Sequence, residues 1–92
     1  MLKWEKVGTE IFHGELGEAA KNITYRADGT DYEIQSRKRG VKHANGIGFW
    51  YHTTYWIMKD GKDLAEHYTM QRAKEKVELR MELEKGAENA TD

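Results

Sequence analysis

A chain of 92 residues with a net charge of −1 and neither cysteine nor proline has room for one modest core. That length excludes doubly wound dehydrogenases, TIM barrels and kinases, which need roughly 150 to 250 residues, and the absence of cysteine excludes disulfides and thiolate zinc sites. Three Trp, five Tyr and two Phe beside 34% charged residues describe a polar chain that nevertheless folds, since disordered chains are poor in aromatics.

The N-terminus, MLKWEKVGTE, lacks the apolar core of a signal peptide, and the longest apolar run, Phe49 to Tyr51, is far too short for a bilayer. A soluble, cytoplasmic protein (of the host cell, if phage-encoded) without membrane contact is therefore expected. Residues 1–21 read as an N-terminal segment. Trp4–Val7 and Thr9–His13 have the composition of short strands, and Leu16–Lys21 that of a helical turn. Trp4, Ile11, Phe12 and Leu16 are expected to pack.

Residues 22–68 read as an antiparallel sheet. Asp28-Gly29, Asn45-Gly46 and Asp60-Gly61 are dipeptides favoured in two-residue hairpin turns, where the backbone needs positive φ. They separate strands predicted at about 22–27, 31–39, 49–59 and 62–68. The first turn pairs Tyr25 with Tyr32 and Ile23 with Ile34. The second pairs Lys42 with Phe49, Arg37 with Thr54 and Ile34 with Ile57. The third pairs Ile57 with Leu64 and Trp56 with Ala65. Ile23, Ile34, Ile57 and Leu64 then form one row, and a one-residue slip at any turn would break it. A helix over 69–85 follows, with Thr69 as N-cap and Met70, Ala73, Val77 and Met81 as its apolar stripe. Leu79 and Leu83 point away from that stripe, toward the N-terminal segment or a second chain; a homodimer through them is one structural reading. Residues 86–92 are polar, begin with Gly and are expected to fray. The predicted fold is thus α+β, a single domain with an antiparallel four-stranded meander and a C-terminal helix packed on one face.

Alternation gives the sheet two unlike faces. One holds Tyr25, Tyr32, Ile34, Ser36, Tyr55, Ile57 and Leu64 and is the natural core. The other holds Arg37, Arg39, Trp50, His52, Trp56, Met58, Ala65 and His67, mixing indoles with guanidiniums. Trp and Arg are the residues that concentrate binding energy, and such a mixture also stacks bases and meets phosphates. The plainer alternative makes Trp50, Trp56 and Met58 a second core beneath residues 1–21. The segment Arg37–Gly48 reads as a basic loop, with Lys38, Lys42 and His43 among its members, for contacting phosphate or an acidic patch. Net charge follows suit: −2 over residues 1–31, +4 over 32–62 and −3 over 63–92. A basic middle between acidic ends suits a local anionic contact rather than the coating of long DNA.

Signs of catalysis are scarce. His13, His43, His52 and His67 show no metal-ligand spacing, and no nucleophile motif occurs. No enzymatic activity, metal or cofactor is expected. The segment GFWYHTTYWIMKDGKDLAEHYTMQRAKEKVE is similar in outline to the arm-binding domains of tyrosine recombinases, whose three-stranded sheet enters the DNA major groove. It also resembles, in size and layout, small phage-encoded inhibitors of host defence, including anti-CRISPR proteins. The resemblance spans about residues 23–85 and carries over no functional residue. It implies a non-catalytic phage-type protein that inhibits a host protein or nucleoprotein complex. The contact expected from the aromatic and basic face and the basic loop is Arg37, Lys38, Arg39, Lys42, His43, Trp50, His52 and Trp56. The alternative is a DNA- or RNA-binding accessory protein using the same face.

Overall fold

Short apolar–polar alternations separated by glycine-bearing bends fold here into strands that each turn back on the last. The computed structural model describes residues 2–90, with side chains through residue 86. It contains β1 (Trp4–His13), β2 (Ala19–Ala27), β3 (Tyr32–Lys42), β4 (Phe49–Lys59), β5 (Lys62–His67) and helix α1 (Met70–Ala90). The strands form one antiparallel sheet in the order β1-β2-β3-β4-β5. The α+β class is as expected, but the sheet has five strands, not four.

The extra strand comes from the N-terminal segment. Gly8 interrupts the alternation in sequence, yet the ladder continues past it: Lys6 pairs with Tyr25 and Gly8 with Thr24, leaving Val7 as an inserted residue. The two short strands read from the sequence are therefore one. Ala19 to Lys21 open β2 instead of forming a helical turn. Of the expected N-terminal anchors, Trp4 joins the core. Ile11 is 70% exposed, and Phe12 and Leu16 are exposed as well.

Each turn departs from expectation in its own way. At Asp28-Gly29 the loop is four residues long, closed by hydrogen bonds from the Thr30 N–H and hydroxyl to the Ala27 carbonyl. Tyr25 accordingly faces Ile34 and Ile23 faces Ser36. The shift is two residues, so every side chain keeps its face. At Asn45-Gly46 the register is as read, Lys42 against Phe49 through Ile34 against Ile57. The basic segment is mostly strand, however, because β3 runs to Lys42. At Asp60-Gly61 both residues have positive φ, 53° and 77°, as a type I′ turn requires. Beyond it a bulge inserts Leu64, so Ala65, not Leu64, faces Ile57. Ala65 and His67 thereby move to the core face, and Leu64 is left 40% exposed.

Ile34 and Ile57 meet across β3 and β4 and are fully buried, beneath Ala73 and Val77 of α1. Met70 and Met81 pack at either end of this contact, as the stripe predicted, and Leu79 and Leu83 are exposed on the outer side. Thr69 caps the helix, its Oγ1 accepting from the Arg72 N–H at 3.1 Å. Thr69→Ala is expected to cost about 1 kcal/mol, read as a melting point lower by roughly 4–8 °C. The helix extends to Ala90, five residues past its expected end at Lys85. Thr91 and Asp92, at the end of the expected frayed tail, lie outside the described residues.

A clasp holds the far half of α1. The buried Tyr32 hydroxyl donates to Glu84 Oε1 at 2.5 Å, and Lys59 Nζ donates to the same oxygen at 3.3 Å while lying 4.7 Å from the Tyr32 ring centroid. Hydrogen bonds from Tyr32 and then Lys59 lower the Glu84 pKa. Burial, then the bond to Glu84, raises that of Tyr32, and the bond to Glu84 raises that of Lys59. A depressed carboxylate contributes stability above its unfolded value, and that contribution is lost as pH falls through the folded value. The raised phenol and ammonium contribute below their unfolded values and lose that contribution as pH rises through the folded ones. The clasp's contribution to thermal stability should thus be flat between about pH 5 and pH 10 and fall on both sides. Melting curves across pH should show a shallower acid limb for Glu84→Gln; coincident limbs would discard the clasp.

Candidate binding face

α1 begins beside Tyr55 and runs toward the Tyr32 end of β3. It therefore covers only the proximal half of one sheet face. The distal halves of β3 and β4 extend beyond it, and the molecule measures 60 × 24 × 21 Å. Its radius of gyration is 16.4 Å, against about 12 Å for a compact chain of this length.

β1 extends the sheet sideways in its own plane, so residues 2–21 do not form a lid on the face opposite α1. The ladder places Arg37, Arg39, Trp50, His52 and Trp56 together on that face, as expected. Lys38 and Lys42 are on the reverse side, because they alternate with the arginines along β3. Lys38 Nζ lies 5.4 Å from the Tyr51 ring centroid there. His43 is exposed in the loop after β3, its N–H bonded to the Gly48 carbonyl. The loop contact and the face contact expected as one site are thus separate.

Arg37 and Arg39 have different environments. Arg37 forks onto Asp63 through two bonds of 2.9 and 3.1 Å, donates Nε to Gln35 Oε1 at 2.6 Å and stacks 4.8 Å from the Trp56 ring centroid. Its charge is neutralised and Trp56 is half-buried beneath it. Glu33 and Glu66 share this proximal part of the face. Arg39 donates to the neutral Asn22 Oδ1 at 2.8 Å and lies 4.9 Å from the Phe12 ring centroid, spanning the buried Ala20. It is not in a salt bridge among the described residues. Nearby, Trp50 is 47% exposed, with its ring 5.2 Å from that of His52 and tilted by 40°. The distal patch is therefore Trp50, His52, Arg39 and Phe12, with Val41 opposite Trp50. Phe12 was not legible as part of it, since only the β1–β2 pairing brings it there. Asp63 had a signal in the sequence: the Asp60-Gly61 turn sets it opposite Met58 on this face.

Among the described residues no three His, Asp or Glu side chains gather to hold a metal ion, and no helix is long and apolar enough to cross a membrane. No family model matches this chain, and no curated protein or solved structure matches it either.

Proposed function

We propose that this is a non-catalytic binding protein that docks on another protein through the Trp50 end of its open sheet face. In the manner of the small phage inhibitors it resembles in layout, it would block a host protein or nucleoprotein complex. One observation carries the docking: a half-exposed tryptophan, an arginine outside every salt bridge among the described residues and an exposed phenylalanine share a sheet surface that no described element covers. Trp and Arg are the side chains that anchor interfaces, and a standard interface needs only about 800 Å² from each partner. The carboxylates of Glu33, Asp63 and Glu66 on the same face favour a protein over nucleic acid, because they repel phosphate.

The experiment is affinity capture from a lysate of the host cell with the wild-type chain and Arg39→Ala in parallel. A stoichiometric partner held by the first and lost by the second supports the reading. A partner held equally by both, or none, rejects it.

A further inference from the structure

The reverse face carries a second, unlike feature. Its ladder residues include Lys6, Lys21, Lys38, Lys42, Lys59 and Lys62 and no aspartate or glutamate; the sheet's carboxylates all point the other way. Under α1 this is partly answered, since Glu84 meets Lys59. Beyond the helix, Lys21 and Lys38 stand directly opposite one another on β2 and β3. Facing like charges destabilise a sheet, yet neither lysine, nor Lys42 two residues past Gly40, pairs with a carboxylate among the described residues. Glu18, which lies beside Gly40, has its carboxylate bonded to the Leu16 N–H.

The two lysines flank an open hollow of about 430 Å³ whose other walls include Ser36, Thr53, Tyr55 and Met70. Ser36 is nine-tenths buried, and its hydroxyl makes none of the side-chain hydrogen bonds found among the described residues. Under α1 the floor is Ile34 and Ile57, which suits a helix. Here Ile23, Tyr25, Tyr55 and Met70 line the hollow together with the Ser36 and Thr53 hydroxyls and the Lys21 and Lys38 ammoniums, and a second helix would bury those two ammoniums without partners. A polyanion supplies the counter-charge that both lysines lack. Lys42 lies about 13 Å further along β3, with Tyr51 between the lysines over Gly40, where a side chain would collide with the ring. Lysines that track a backbone, with exposed aromatic rings between them, are how proteins hold unpaired strands.

We infer that the uncovered half of the helix-bearing face binds the phosphates of a single-stranded nucleic acid. It does so independently of the Trp50 patch on the other side. Fluorescence anisotropy with a labelled fifteen-nucleotide oligothymidylate tests this. Binding is expected at 25 mM salt, with log K falling by about 2 per decade of salt for three phosphates. Lys21→Ala/Lys38→Ala should lose at least about tenfold in affinity and flatten that slope to about 0.7. Its melting point should be unchanged or higher, because a repulsive pair is gone. Arg72→Ala, removing one positive charge from the outer side of α1, should stay within about twofold. Four results would overturn the assignment: no binding at 25 mM salt, tighter binding of a duplex of the same length, equal binding of polyglutamate, or equal loss from Arg39→Ala on the opposite face.

Discussion

Ile57→Ala is expected to cost 2–5 kcal/mol. The side chain is fully buried, faces Ile34 across the ladder and lies under Ala73 and Val77. A domain of this size has about 5–14 kcal/mol in total, and this one concentrates its apolar burial in a handful of residues. The sheet beneath the helix has no second layer from which to refill the cavity, so the upper part of the range applies. The melting point should fall by about 15 °C or more. Ile11→Ala is the matched comparison. Both isoleucines read as packing residues in the sequence, but Ile11 is 70% exposed on the outer strand, and its loss should stay within about 0.5 kcal/mol. Denaturation of the two variants side by side decides the matter. Comparable losses would mean that the core is not where α1 meets β3 and β4.

Trp50→Ala should weaken the captured partner by at least about 30-fold, the reading of a hot spot worth 2 kcal/mol or more. Trp50 packs against no layer above it, so the variant should melt with the wild type. Trp56→Ala should behave differently. Trp56 is half-buried beneath Arg37, which also binds Asp63 and Gln35, so its removal should lower stability and impair binding only through the fold. Titration of each purified variant against the partner, with melting curves alongside, separates the two tryptophans. If Trp50→Ala binds normally and Trp56→Ala does not, the contact lies at the proximal end of the face and the distal patch is not the anchor.

Much of this was legible in the chain. The period of two on β3 and β4 sorted their side chains onto two faces without error, because no residue is inserted into either strand between Tyr32 and Lys42 or between Phe49 and Lys59. The error of two residues at Asp28-Gly29 left that sorting intact. The bulge at Leu64 did not, since it moved Ala65 and His67 to the core face, and neither it nor the bulge at Val7 leaves a local signature. One residue is displaced to satisfy pairing with a neighbour, and the pattern read along a single strand cannot register it. Lys38 and Lys42 were grouped with the arginines because the segment was taken for a loop, where alternation has no meaning. Once β3 extends through it, the same residues divide by parity, lysines to one side and arginines to the other.

By itself the sequence determined the class, the central hairpin, the cap and the stripe of the helix, since each rests on interactions within a few residues along the chain. Tertiary structure alone decided what is covered. A helix docks where Ile34 and Ile57 offer apolar area and stops where Ser36, Lys38 and Thr53 do not. The N-terminal segment gains more from extending the hydrogen-bonded ladder than from lying over the indoles, because an edge position satisfies its backbone groups while a lid would leave them to water. Those two choices, made by pairing and burial across distant parts of the chain, leave both sides of the distal sheet open.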